Sequence, residues 1–233
     1  NVAHSFPTRR SSDLLAPSAQ ADFDDVRVSE VSPQQPEHLV PSEVIGVKPH
    51  SDSPCPMTSD DGTWKDRDDL CGVVGYWKLD GSALDAAGRH TGIIKGTATS
   101  KGRFGDAVGS LSFVSDGNNV EIPHDAELGS IGADAGSYTV EAWILPTGSD
   151  GAILQKSFGL NVPIDFHMSA PAVPAFSIGG PDHPAAVAAS PSPISVGSWH
   201  HLAGIRNRSA RVTELFVDGL KVATASDLYD SLE

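Results

Sequence analysis

Basic residues are scarce in this sequence: 16 Lys and Arg stand against 30 Asp and Glu, a formal net charge of −14. Phosphate backbones are recognised by positive fields, so nucleic acid is excluded as a partner. Long apolar runs are also missing. None approaches the roughly 20 residues needed to cross a bilayer, so the sequence carries no membrane-spanning segment. The chain lacks Gly-x-Ser-x-Gly, His-Glu-x-x-His and Walker sequences, which removes the enzyme classes those signatures mark. Only two cysteines occur, Cys55 and Cys71. As a widely spaced pair they offer too few soft ligands for a zinc site.

What remains is a set of short alternating segments. From Ser137 to Leu145 the chain reads Ser-Tyr-Thr-Val-Glu-Ala-Trp-Ile-Leu, with Tyr138, Val140 and Ala142 on one face, Trp143 and Leu145 on the other, and a break at Pro146. Ser198 to Arg206 repeats the pattern. A period of two with aromatic and β-branched residues predicts strands. Further strands are expected at Gly75–Asp80, Thr91–Ile94, Leu111–Val114, Val120–Ile122, Ala152–Gln155 and, less regularly, Ile164–Met168 and Ala175–Ile178. Thr213–Val217 and Leu220–Ala225 flank Asp218-Gly219, a two-residue hairpin signal because a type I′ turn needs positive φ at both positions. Many short strands between turn residues predict an all-β, antiparallel jelly-roll β-sandwich beginning near residue 72.

The chain before residue 72 is different in kind. His4 to Leu14 resembles the in-frame translation of a common short-read sequencing adapter, so residues 1–14 are set aside from fold reasoning; a short basic leader is the alternative. Residues 15–21 end in Ala19-Gln20-Ala21, the small-x-small form that a signal peptidase accepts, followed by an acidic start at Asp22. They read as a signal-peptide remnant or, equally, as linker. Residues 22–71 carry 12 acids against 4 bases and include Pro33, Pro36, Pro41 and Pro49, the composition of a disordered spacer. An even cysteine count, local placement and the export signal favour a Cys55–Cys71 disulfide closing an acidic loop, with free thiols the outcome if export does not occur. A loop of that length contributes roughly 3 kcal/mol in the chain-entropy model. Its acids, Asp60, Asp61, Asp66, Asp68 and Asp69, lack the spacing of an EF-hand and read as a solvated loop rather than a calcium site.

Taken in order, Gly75-Tyr76-Trp77-Lys78-Leu79-Asp80, Gly105-Asp106-Ala107-Val108 leading to Phe113, Tyr138-Thr139-Val140-Glu141-Ala142-Trp143-Ile144, Gly197-Ser198-Trp199-His200-His201-Leu202-Ala203 and Glu214-Leu215-Phe216-Val217-Asp218-Gly219 resemble the successive signatures of LamG-like jelly-roll domains of the concanavalin A-like lectin/glucanase superfamily. The resemblance covers about residues 73 to 230, within a domain placed at 72–233. It implies one further strand, commonly with an Ile-Asp-Glu-like segment, that this chain does not contain. With the adapter-like start, this reads as a fragment truncated at its C-terminal strand and belonging to a longer multidomain chain.

Glycosidases of this superfamily group carboxylates along one strand, often as Glu-x-Asp-x-x-Glu, to supply nucleophile and acid. Here Glu121, Glu141 and Glu214 are each isolated on their strands. His200 and His201 are strand neighbours pointing to opposite faces, so they cannot chelate one ion together. The resemblance implies that this pair is a fold signature. It also implies a calcium candidate at Asp80 and Asp85, which flank the loop after the first strand; turn capping by the same two carboxylates is the competing reading. The expectation is therefore a secreted or cell-surface, non-catalytic module recognising glycan or extracellular protein, with calcium the one cofactor raised. An accessory domain of a larger secreted enzyme such as a glycoside hydrolase, and a structural spacer, are the alternatives.

Overall fold

Along Tyr138–Pro146 every even-numbered residue is buried, whereas Glu141, Trp143 and Leu145 face the other way and are half-buried. The period-two pattern thus selects the core face of the strand on which the rest is assembled. The computed structural model describes residues 21–30, 73–124, 128, 137–158, 161–180 and 183–227. Among them are fourteen strands: β1 (Ala21–Glu30), β2 (Val73–Trp77), β3 (Ile93–Lys95), β4 (Ala98–Ser100), β5 (Ser110–Phe113), β6 (Asn119–Glu121), β7 (Tyr138–Pro146), β8 (Gly151–Phe158), β9 (Asn161–Ser169), β10 (Val173–Gly180), β11 (His183–Ala189), β12 (His200–Asn207), β13 (Val212–Val217) and β14 (Leu220–Ser226).

All named pairings are antiparallel. The large sheet runs β14-β13-β12-β7-β1-β5-β4, with β2 also paired to β1; a second sheet runs β11-β10-β9-β8, and β3 with β6 makes a small ribbon. β10 and β11 pack on β13 and β14, closing an antiparallel β-sandwich of jelly-roll type. Between the sheets lie Ile144, Leu202 and Leu215 from one side and Leu154, Ile164, Phe166 and Phe176 from the other, all fully buried. Phe166 and Phe176 meet edge to face, centroids 5.4 Å apart. Complete burial of each such side chain contributes about 1.5–3 kcal/mol.

The β13–β14 turn follows its sequence: φ is 49° at Asp218 and 79° at Gly219. The first strand of the resemblance is shorter than its signature. β2 stops at Trp77, because Leu79 turns to φ 56° and the chain leaves the sheet there.

One larger difference lies at the N-terminus. Ala21 and residues 22–30, which composition assigns to the signal remnant and the spacer, form β1 in the interior of the large sheet. On one side it pairs with β7; on the other it pairs first with β5 and then with β2. The register shifts between Asp24 and Val26, the mark of a β-bulge. The bulge restores the alternation that two consecutive aspartates interrupt. Ala21, Phe23, Val26 and Val28 consequently stand in register with Pro146, Ile144, Ala142 and Val140, the core-facing residues of β7. The adapter-like segment, Ala19-Gln20, Cys55, Cys71 and the acids between the cysteines lie outside the described residues.

Candidate functional site

Trp143 on β7 and His201 on β12 are cross-strand partners on the face turned away from the core. Their rings lie 5.2 Å apart at 49°. Arg103 also lies over Trp143, its guanidinium 4.8 Å from the Trp143 ring and 4.5 Å from that of Phe104. Phe104 is 82% exposed. Glu141, the next outward residue on β7, places Oε2 3.6 Å from Nε2 of His201. The result is a continuous row, Phe104, Arg103, Trp143, His201 and Glu141, of flat rings, one cation and one acid.

Local chemistry shapes the loop that brings Arg103 and Phe104 to the sheet. The Gly105 amide donates to the Gly102 carbonyl at 3.0 Å, and the Gly102 amide donates to the Asp106 carbonyl at 3.0 Å. Gly102 and Gly109 are packed so closely that a Cβ on either would stand 2.8 Å from the Cα of the other. Neither position accepts a side chain without moving the loop. A row of this kind offers an aromatic face to an apolar ligand surface and donors and acceptors at its flanks, the composition that orients polar ligands.

The two histidines do diverge. His200 places Nδ1 2.8 Å from Asp218 Oδ2, and Nε2 2.8 Å from Ser195 Oγ and 3.1 Å from the Ser195 carbonyl. The order Ser, His, Asp is that of a nucleophilic triad, invisible in the sequence because Ser195 lies in an irregular loop. Asp218 only accepts, so Nδ1 is the donor on that side, and Nε2 faces both Ser195 oxygens. Asp218 Oδ1 also accepts the His201 amide at 2.9 Å. The group ties the 190–199 loop to the β13–β14 turn.

Asp85 is buried, and its carboxylate accepts four backbone amides: Tyr76 and Ala87 on Oδ1, both at 2.8 Å, and Arg89 and His90 on Oδ2, at 2.9 and 2.8 Å. Asp80 is exposed and accepts the Ser82 hydroxyl at 3.2 Å. Both residues organise the turn, and a calcium ion on Asp85 would have to displace amide bonds. Among the described residues no group of three or more His, Cys, Asp and Glu is placed to hold a metal. The isolated glutamates each have a separate partner: Glu121 bonds Lys95, Glu214 bonds Lys221 at 2.9 Å, and Glu141 faces His201.

Two side chains outside the row titrate abnormally. Burial lowers Lys156 to about 8, its ammonium donating to the Leu128 carbonyl. The Asp165 carboxylate, 3.2 Å from Nδ1, holds His167 above its ordinary value against an opposing desolvation.

A family model described as the concanavalin A-like lectin/glucanases superfamily, Laminin_G_3, matches residues 115–233. The chain belongs to this family. The family's domains bind glycans or proteins, and that is the level at which its activity is fixed. Trp143, His201 and Glu141 fall within the matched Laminin_G_3 segment, whereas Arg103 and Phe104 precede it. Comparison with curated proteins and with solved structures gives no match. No helix among the described residues is long and apolar enough to cross a membrane.

Proposed function

We infer that this chain is a non-catalytic extracellular recognition module and that its ligand is carbohydrate, taken up on the row centred on Trp143. The observation that carries the reading is the exposed Phe104 ring, stacked through Arg103 onto Trp143 and braced by His201. Sugar rings present an apolar C–H face and a rim of hydroxyls, and the row offers an aromatic plate with Arg103 and Glu141 beside it. The non-catalytic part of the reading is supported by the carboxylates. Glu121, Glu141 and Glu214 are engaged separately, by Lys95, His201 and Lys221, whereas glycoside hydrolysis needs two carboxyl groups facing one bond.

A glycan array probed with the full chain and with Phe104→Ala tests this. Because Phe104 is exposed, its removal changes stability by no more than about 0.5 kcal/mol. Expected is binding to a defined glycan set, weakened at least about tenfold in the variant. A wild-type chain that binds no glycan, or a variant that binds as well as wild type, removes the reading.

A further inference from the structure

Ser195, His200 and Asp218 come from three places in the chain and meet at the start of β12. Ser195 is exposed in the loop between β11 and β12, His200 opens β12, and Asp218 lies in the β13–β14 turn. Two anchors hold the loop. The Ile194 amide donates to the Ala172 carbonyl at 2.9 Å and the Gly197 amide to the Pro146 carbonyl at 2.8 Å, so the backbone is pinned on both sides of Ser195. The carboxylate is fixed as well, because its second oxygen accepts the His201 amide at 2.9 Å.

This arrangement sets the direction in which a proton moves. Asp218 only accepts, so Nδ1 of His200 keeps its hydrogen on that side, and in the neutral ring Nε2 is left with a lone pair 2.8 Å from the Ser195 hydroxyl. The hydroxyl donates there. Once Nε2 has taken that proton it donates in turn, and the Ser195 carbonyl stands 3.1 Å away as an acceptor. Both ends of the transfer have a partner. Among the described residues the amides of Ser195 and Val196 enter no hydrogen bond, which leaves donors beside the hydroxyl for charge developing on an attacked carbonyl. Exposed Val196 follows Ser195 and exposed Leu220 lies two residues past Asp218, so apolar side chains border the group.

We propose that Ser195 is a nucleophile that takes an acyl group from an activated carboxylic ester with an apolar acyl chain. Oγ attacks the ester carbonyl carbon while its proton passes to Nε2 of His200. The bond from that carbon to the leaving oxygen then breaks, and the proton moves from Nε2 to the leaving alcohol or phenol. The products are an ester on Ser195 and the free alcohol or phenol, so the step balances with no co-reactant. One acyl group is taken up per chain. His200 and His201 point to opposite faces of β12, so the transfer leaves the Trp143 row to its own ligand.

The test exposes the full, unsubstituted chain to p-nitrophenyl butyrate, quenches it in acid and locates the butyryl group by mass spectrometry of peptides. Ser192 and Ser198 are exposed in the same loop and serve as internal controls. Expected is a butyryl group on Ser195 that forms at least about a hundredfold faster than on either control, the contribution of a positioned base. That preference should vanish in the urea-unfolded chain. Ser195 labelled no faster than Ser192 and Ser198 in the folded chain overturns the proposal, and this comparison does not depend on how any variant folds. Asp218→Asn no longer fixes the hydrogen on Nδ1, and labelling of Ser195 should fall about a hundredfold or more. Labelling indifferent to Asp218→Asn also overturns the proposal. In Ser195→Ala the butyryl group should be lost from this loop, and a label that moves to His200 instead shows that the imidazole is the nucleophile and overturns the assignment to Ser195.

Discussion

Gly204 on β12 faces Phe176 on β10 so closely that a Cβ would lie 2.3 Å from the ring. The contact joins the two sheets at the centre of the sandwich. Gly204→Ala should therefore destabilise by about 1–3 kcal/mol, the range for overpacking a filled core. Phe176→Ala should cost about 3–5 kcal/mol through the cavity it leaves. In the double variant the methyl enters that cavity, so urea unfolding should show a loss smaller than the sum of the two.

Asp85 gathers four amides from two stretches of chain onto one buried carboxylate, about the number of hydrogen-bonding sites a carboxylate has. Its neighbourhood includes Trp77, fully buried, whose indole N–H donates to the His90 carbonyl at 2.6 Å. Asp85→Asn keeps the shape but turns an N–H₂ group towards two of the donors, each of which then costs about 1–3 kcal/mol. The expected loss is about 2–5 kcal/mol in chemical denaturation. Millimolar calcium should leave the melting temperature of the wild-type chain unchanged. A clear rise would mean that the ion outcompetes the amides and would restore the calcium site.

Arg206 and Asp227 form a buried ion pair at 2.8 Å, with side-chain exposures of 2% and 4%. Asp227→Ala removes a charged partner at 2.8 Å from the buried guanidinium and should cost about 3–5 kcal/mol. Replacing both residues by apolar ones of similar volume, Arg206→Met with Asp227→Leu, should recover most of that loss. Thermal melts of the two variants and the wild-type chain decide between a pair retained for stability and one retained for placing the chain after β14.

The strands that could be read from the sequence are those in which large apolar residues alternate without interruption. β7, β12 and the β13–β14 hairpin fall where alternation and Asp218-Gly219 put them. β11 escaped because its pattern is inverted: small Ala186 and Ala188 point inward, while Val187, its largest aliphatic residue, is 47% exposed. β1 escaped because Asp24 and Asp25 break the alternation, and only the bulge formed against β7 restores it. At the site, Glu141 and His201 were visible as strand residues, but their row was not. Arg103 and Phe104 lie in a loop with no periodicity, and their partner Trp143 is brought to them by tertiary structure. Ser195 met His200 for the same reason.

His167 and Asp165 lie on the outward face of β9, each 28% exposed and 3.2 Å apart. The carboxylate raises the histidine above its usual 6.5. A raised folded-state value means that the native protein binds the proton more tightly than the unfolded chain does. The stabilisation is thus complete below pH 6.5 and is lost as pH rises through the raised value of His167. Urea midpoints measured from pH 5.5 to 8.5 should fall over this window in the wild-type chain more than in Asp165→Asn, in which the attraction is gone. Because both groups are partly solvated, added salt should shrink the difference. Parallel curves for the two proteins at low salt would show that Asp165 does not hold the proton on His167.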